Sequence, residues 1–228
     1  MPRKKAARTD DEKEKLKERI IEEGRNLFVS KGSYGFSTHA LAKKLKMSQS
    51  NLYNYFKSKR ELYIAIRRED INKLKTDIES IINSHQGRYI ELFKKIALYY
   101  LDFASLERRR FQMMFAIPPP PLTSNKVGPI EKKYTRIDPI KPLREIVIKA
   151  MDSGEIIKND PSHLTYMLYA LFHGATAVER DLKWQLNIIE PLSEDKEENF
   201  LNPKEKIERR IERFRNFILD KMVSLLTE

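Results

Sequence analysis

The sequence predicts an all-α chain, in which a small helix-turn-helix domain of three helices precedes a larger helical domain, about nine helices together. Three observations predict it. Apolar residues recur at three- and four-residue spacing through most of the chain, and no stretch alternates as a strand does. Helix-starting pairs, Asp160-Pro161 and Asn202-Pro203, precede two long stripes of this kind. With 228 residues, 40% of them hydrophobic, the chain is long enough for a small domain joined to a larger one with a proper core.

Residues 1–11 read as a disordered basic arm, and no apolar run of the kind a signal peptide needs follows Arg3, Lys4 and Lys5. Asp10, Asp11 and Glu12 start the first helix, Leu16, Ile20, Leu27 and Phe28 form its buried side, and Gly32 ends it. Residues 36–60 then hold two short helices with a tight break. Ser37 or Thr38 caps the first, which turns Ala40, Leu41 and Leu45 inward. Ser48 caps the second, which turns Leu52 and Phe56 inward. Gln49, Ser50, Asn51, Tyr53 and Tyr55 are left outside. In a helix-turn-helix this layout offers the second helix's N-terminal side chains to the major groove.

Charge agrees with that reading. Residues 36–60 contain six cations and no acid, which suits a phosphate backbone. Residues 1–60 carry 16 Lys/Arg against 7 Asp/Glu, whereas residues 61–228 carry 28 against 26. The positive field is therefore concentrated at the N-terminal end.

Ser58 and Glu61 form a capping-box pattern that opens a fourth helix, carried to about residue 83 by Leu62, Ile66, Ile71, Leu74 and Ile78. A fifth, over 88–105, is apolar on nearly all sides from Ile96 onward and is expected to be buried. After a short helix over 107–116, the four prolines 118–121 stop helix formation and make a rigid surface connection into a loop. Asp138-Pro139 starts the next helix, which runs to Ser153-Gly154. The last two carry Leu164, Leu168, Leu171, Ala175 and Val178, then Ile207, Ile211, Phe214, Ile218 and Met222. Both stripes are too wide for a lone surface helix and are expected to form a dimer interface. Residues 185–201 between them read as a polar connection.

The stretch Thr38, Leu41-Ala42, Met47-Ser48, Leu52-Tyr53, Tyr55-Phe56, Lys59 and Leu62, with Ile20, Leu27-Phe28 and Gly32 upstream, resembles the DNA-binding motif of the TetR family of transcriptional regulators. It departs from the family pattern at Lys46, where a turn glycine is usual, and at Gly24, where a helical alanine is usual. Gly154-Glu155-Ile156 before Asp160-Pro161, then Ala170-Leu171-Phe172-His173-Gly174, is similar to the family's ligand and dimerisation domain. The resemblance implies a DNA-binding domain over 12–57 and an effector-binding and dimerisation domain over 58–228, whose last two helices pair with their copies in a four-helix bundle.

It also implies that His39, Gln49, Ser50 and Asn51 face the groove. Gln and Asn pair bidentately with adenine in their own right, each good pair discriminating by roughly 1–3 kcal/mol. Thr38, Tyr53, Tyr55 and Lys59 are expected on phosphates, where contacts set register rather than sequence, and Lys46 and Lys57 complete the DNA-binding set. Tyr99, Phe103, Phe111, Met114, Phe115, Met167, Phe172 and His173 form the candidate effector pocket, suited to a lipophilic molecule such as an acyl chain or an aromatic compound.

The expected partners are a double-stranded, near-palindromic operator, a second copy of the chain and that effector, and the outcome is repression relieved by the effector. The absence of cysteine removes disulfides and thiolate metal sites and fits a reducing cytosol. The longest mostly apolar stretch, Leu164 to Val178, is too short to span a bilayer, so a soluble cytoplasmic protein without membrane contact is expected. The four histidines are scattered, and there is no phosphate loop or nucleophile motif, so neither metal, cofactor nor catalytic residues are expected. The main rival is a sequence-tolerant architectural protein, which shares the basic surface but predicts no preferred site and no effector. An enzyme ranks third.

Overall fold

A computed structural model describes residues 9–122, 127–134, 138, 140–185 and 202–228. The connection expected over 185–201 (apart from Gln185), the basic arm up to residue 8, and Pro139 lie outside the described residues. Among those described there are ten helices and no strand: α1 Asp10–Gly35, α2 Thr38–Lys44, α3 Gln49–Tyr55, α4 Lys59–Ser84, α5 Tyr89–Leu106, α6 Arg108–Phe115, α7 Pro129–Lys132, α8 Lys141–Asp152, α9 Pro161–Gln185 and α10 Pro203–Thr227. The all-α class is as the periodicity predicted. None of these helices is long and apolar enough to cross a membrane.

The chain divides into two units, one of residues 1–73 with 108–137 and the other of residues 74–107 with 138–228. This is not the expected division at residue 57. The reason is side-chain chemistry that reaches across sequence. In the first unit Arg25 of α1 donates through Nε to both oxygens of Asp70 on α4, at 3.0 and 3.1 Å, and through Nη2 to Glu69 at 2.9 Å. Arg110 of α6 meets the same Asp70 at 2.7 Å. The first part of α4 and all of α6 are thereby held in the N-terminal unit.

The core of that unit is built from Ile20, Phe28, Phe36, Leu41, Leu52, Phe56, Leu62, Ile66 and Met113, with the Phe28 and Phe36 rings stacked at 3.9 Å. Thr9 and Glu12 close α1's N-terminus as a capping box. Gly32 has φ 67°, a left-handed conformation, so α1 kinks there and one further turn leads to Phe36. Residues 33–35, past the glycine expected to end the helix, form that turn. Gly24, unusual for the family pattern, has a packing reason: a Cβ there would stand 3.1 Å from Ile66 Cδ1 and 3.4 Å from Leu62 Cδ2, so its absence lets α4 approach α1 closely.

In the second unit α9 packs against α5, α8 and α10, and α5 packs against α8 and α10. Asn202 and Glu205 cap α10 reciprocally, with Pro203 in its first turn, and Asp160 accepts the His163 N–H at the start of α9. Arg215 of α10 forks onto Glu179 of α9 at 2.7 and 2.9 Å and reaches Asp102 of α5 at 2.6 Å. One helix was not expected, the short α7. The helix expected from Asp138 begins at Lys141 instead, with Asp138 accepting the N–H of Ile140.

Candidate nucleic-acid interface

The helix-turn-helix is shaped by its caps. Ser37 is extended and its Oγ accepts the Ala40 N–H at 3.3 Å, so α2 starts at Thr38. Ser48 does the same for Asn51 at 3.2 Å and starts α3. Between them Lys46 has φ 54°, its N–H meeting Lys43 O at 3.1 Å, and the Met47 N–H meets Ala42 O at 3.0 Å. This pair of bonds ends α2 as a Schellman turn, the place where glycine is usual. Lysine accepts the conformation at a cost of roughly 1–2 kcal/mol, and the turn keeps its shape. Leu41, Leu45, Leu52 and Phe56 are buried beneath and hold the two helices together.

The outer side chains are linked to one another. Gln49 Nε2 donates to Thr38 Oγ1 at 2.8 Å, and the Tyr53 hydroxyl lies 3.3 Å from the same oxygen. The start of α2 and the first turns of α3 are therefore joined through Thr38. The hydroxyls of Ser48 and Ser50 are 3.0 Å apart. Lys57 Nζ donates to Tyr53 O at 3.2 Å, and Lys59 Nζ donates to Phe36 O at 3.2 Å with the Phe36 ring 5.6 Å away. Burial holds the Lys59 ammonium below the ordinary lysine range. His39, Lys46 and Ser50 are exposed, and Asn51 half-buried. The set offers hydroxyls, two amides and ammonium groups, the donors and acceptors that phosphates and base edges take.

Three expectations change here. Tyr55 is not left outside: it shares the inner face of α3 with Leu52, three residues back, and packs against the core. Lys44 pairs with Glu23 at 2.5 Å, which holds that carboxyl below its usual range, and Arg60 pairs with Glu131 at 2.7 Å. Residues 36–60 contain no acid, but acids from outside that window reach two of its six cations. Glu61, read only as a cap, does more. Its N–H bonds Ser58 Oγ at 2.9 Å as a capping box requires, yet its buried carboxylate accepts the N–H groups of Lys57 and Ile130. The Ser58 and Glu61 spacing was the only sequence signal, and it does not reveal a partner 69 residues away.

The candidate pocket residues fall in both units. Tyr99, Phe103, Met167, Phe172 and His173 belong to the second, whereas Phe111, Met114 and Phe115 lie on α6 in the first. Inside the second unit the Tyr100 hydroxyl stands 2.8 Å from His173 Nδ1, and the Tyr169 ring stacks on His173 at 5.2 Å. Burial raises the Tyr100 and Tyr169 hydroxyls above the ordinary tyrosine range and holds His173 below the ordinary histidine range. Tyr99 donates to Asp77. The sequence reading missed Tyr100 and Tyr169, although Tyr169 sits one helical turn before His173.

The residues expected at the dimer interface separate into two groups. Leu164, Leu168, Ala175, Ile211 and Met222 are buried within their own chain, because α9 and α10 pack on each other and on α5. Leu171, Ile207, Phe214 and Ile218 are half-buried, and Val178 is exposed. The apolar surface left open shares only Val178 with that set. On α9 it is Tyr166, Ala170, Gly174 and Val178, at four-residue spacing, and on α10 it is Phe217 and Leu225. Beyond its chain neighbours and the adjacent backbone of α9, no described atom comes within 4 Å of the place a Gly174 Cβ would take.

Residues 20–66 match the family model for bacterial regulatory proteins of the TetR family. No curated protein matches the chain. Among solved structures it is similar to the transcriptional regulator FadR from Bacillus subtilis in complex with stearoyl-CoA, at 14% identity and a TM-score of 0.61, covering 92% of this chain and 98% of that one. It is also similar to a TetR-family transcriptional regulator from Pectobacterium atrosepticum, at 15% identity and a TM-score of 0.56, covering 97% and 99%. The TetR-family regulator PfmR from Thermus thermophilus matches at 18% identity and a TM-score of 0.54, covering 89% and 97%. At these identities the likeness is one of fold.

Proposed function

We propose that this chain, a transcriptional regulator of the TetR family by its N-terminal domain, is a homodimeric repressor that leaves a near-palindromic operator when a lipophilic effector binds. The observation that carries the DNA-binding part is the Gln49–Thr38–Tyr53 linkage over a capped α3, with Lys57 and Lys59 beside it. Gln49, Ser50 and Asn51 read bases from the first turn of α3, and His39 adds a contact from α2. Thr38, Tyr53, Lys46, Lys57 and Lys59 take phosphates. Two copies place their recognition helices in successive major grooves, roughly 34–36 Å apart.

The second copy is met by the open apolar strip of α9 and α10, which includes Val178, Phe217 and Leu225. The half-buried Phe214 and Ile218 form its margin. The effector lies in the second unit among Phe103, Met167 and Phe172, and the Tyr100–His173 pair supplies a polar anchor. An acyl chain, as a thioester or free, fits this mixture. The stearoyl-CoA complex of the FadR fold relative supports that choice of class. Helix α4, whose residues 59–73 fall in one unit and 74–84 in the other, crosses between the units as a continuous helix and carries the signal. The effect is limited to the effector's differential affinity for the two states, typically 1–3 kcal/mol.

Selection of binding sites from random duplex DNA tests the reading. A palindromic consensus is expected, and binding without sequence preference returns the protein to the architectural class. Mass spectrometry of small molecules that co-purify with the chain, followed by calorimetry with acyl and aromatic compounds, identifies the effector. Ligands that bind without changing operator affinity remove the coupling and leave the site.

A further inference from the structure

The segment after α6 runs over the surface as expected, with Pro118, Pro119, Pro121 and Leu122 exposed, but it is tied down along its length. A polyproline run has no N–H to donate, so its carbonyls are available as acceptors, and in this chain the N-terminal unit supplies the donors. Tyr63 donates to Ile117 O at 2.7 Å, Ser33 to Pro118 O, and Arg60 to Pro120 O at 2.6 Å. Pro120 is buried. After residues 123–126, which are not described, the chain returns at Val127 and Gly128 and presses α7 against the first turn of α4. It forms a strap on the DNA-binding unit.

One side chain joins this strap to the DNA-facing turn. Glu61 is fully buried. Its Oε2 accepts the Lys57 N–H at 2.5 Å, and its Oε1 accepts the Ile130 N–H at 2.9 Å. Gly128 closes over the carboxylate: a Cβ there would overlap both of its oxygens. A buried carboxylate with two backbone donors has a strict geometry, because losing either donor leaves a charge-assisted bond unmade in a site without water access. Lys57 and Lys59, the lysines read above as phosphate contacts, sit on the turn whose first N–H this carboxylate holds.

We infer that Glu61 is a positioning residue for DNA binding, tying the turn 57–59 to the strap at residues 128–130 so that the strap sets where Lys57 and Lys59 stand. The inference rests on the reading of that turn as a phosphate-contacting element. It makes the tetraproline strap part of the recognition machinery, although Ile117 lies 58 positions after Lys59.

The test uses the full chain and a selected operator duplex, with binding followed by fluorescence anisotropy at several salt concentrations. Glu61→Gln keeps the shape but turns an amide N–H toward one of the two donors, and Gly128→Ala displaces the carboxylate from the strap side. Each is expected to weaken operator binding about tenfold and to lower the salt slope by about one unit, as loss of one phosphate contact does. In a background carrying both Lys57→Ala and Lys59→Ala the same changes are expected to cost less than about twofold, because the contacts they position are already gone. A purely structural role gives losses that multiply with those two changes, and that result overturns the inference. So do folded variants that bind as the wild type does, or a loss of folding in both variants. If the wild-type chain itself selects no sequence, the regulator reading has failed instead.

Discussion

Two arginines, one in each unit, are gripped by carboxylates from other helices, yet the grips differ. Arg25 and Asp70 are both almost wholly buried, and a second cation, Arg110, shares the same carboxylate. Burial pushes the Asp70 carboxyl above its usual range, while Arg25 and Arg110 pull it back down. Arg215 has two carboxylates to itself. Glu179 is buried and bidentate, and Asp102 stands half in water. The bonds to Glu179 and Asp102 raise the Arg215 guanidinium above its usual range against the effect of burial. Arg25 also meets Glu22 and Glu69, and Arg110 also meets Glu69, but both of those carboxylates are half in water. Asp70 is therefore the buried carboxylate that two cations share, whereas Glu179 is the buried carboxylate of a single cation.

That contrast makes the largest prediction. Asp70→Ala removes the buried carboxylate that two guanidinium groups share and leaves Arg25 and Arg110 on the half-exposed Glu69, with Glu22 beside Arg25. Breaking a buried pair in this way costs about 3–5 kcal/mol. Glu179→Ala leaves Arg215 on Asp102, so the loss should stay near that of bonds to a charged group, about 1.5–3 kcal/mol. Urea unfolding of both variants, with the transition of each unit followed separately, checks the ranking. A larger loss for Glu179→Ala would break the comparison.

The same contrast explains what the sequence made legible. Most of what is local was readable: the Ser37 and Ser48 caps, the inward Leu41, Leu52 and Phe56, the start of α1, and the Pro-started α9 and α10, although Ala40, expected inward, is exposed and α1 runs one turn past Gly32. Those features depend on residues within one turn of each other, which periodicity and cap chemistry report directly. The unit boundary was not readable, because it depends on Arg25 meeting Asp70 and Arg110, and no local pattern pairs residues so far apart. Tyr55 was misjudged by one step of helical phase. The strap was invisible for a related reason. Four prolines predict an extended chain correctly, but not which donors cover its carbonyls. Wide apolar stripes on α9 and α10 were identified, yet a stripe does not say which of its edges its own chain will cover.

The second prediction separates those edges. Phe217 is exposed on α10, so Phe217→Asp should leave the chain folded while weakening self-association at least about a hundredfold, about 2.7 kcal/mol. Leu168 is buried within its own unit, so Leu168→Asp should unfold that unit rather than give a folded monomer. Sedimentation and circular dichroism on the two variants distinguish the outcomes. A folded wild-type chain that is monomeric at micromolar concentration removes the dimer face altogether.

A third pair of variants divides the DNA-facing surface. Gln49→Ala should lose about 1–3 kcal/mol of discrimination at one operator position and leave the salt slope unchanged. It also frees Thr38 from its 2.8 Å bond, so Tyr53 becomes that hydroxyl's remaining contact across the two helices. Lys59→Ala should weaken binding to all sequences alike and flatten the slope by about one unit. Binding to the selected operator and to its single-base variants, each at several salt concentrations, separates the two. Equal loss of discrimination in both variants would mean that Gln49 reads no base.

The smallest expected effect concerns pH and contrasts the two units again. The first unit's His39 is exposed, whereas the second holds His173 against the Tyr100 hydroxyl and the Tyr169 ring. Burial lowers the His173 pKa below the value of about 6.5 that an unfolded chain would show. The unfolded state therefore binds the proton more readily. Stability from this site is complete above about pH 6.5 and is lost as pH falls through that value toward the lower folded pKa. The two tyrosines stay neutral across this window, since burial raises both, so they do not contribute to the slope. Melting measured from about pH 7.5 down to about pH 5.5 should show the second unit's transition falling in the wild type. His173→Gln keeps a polar partner for Tyr100 without a titrating ring, and should flatten that dependence while leaving the first unit's transition unchanged. If the variant retains the wild-type slope, the proton is taken up elsewhere, and the Tyr100–His173 pair loses its claim to be the buried polar anchor of the second unit.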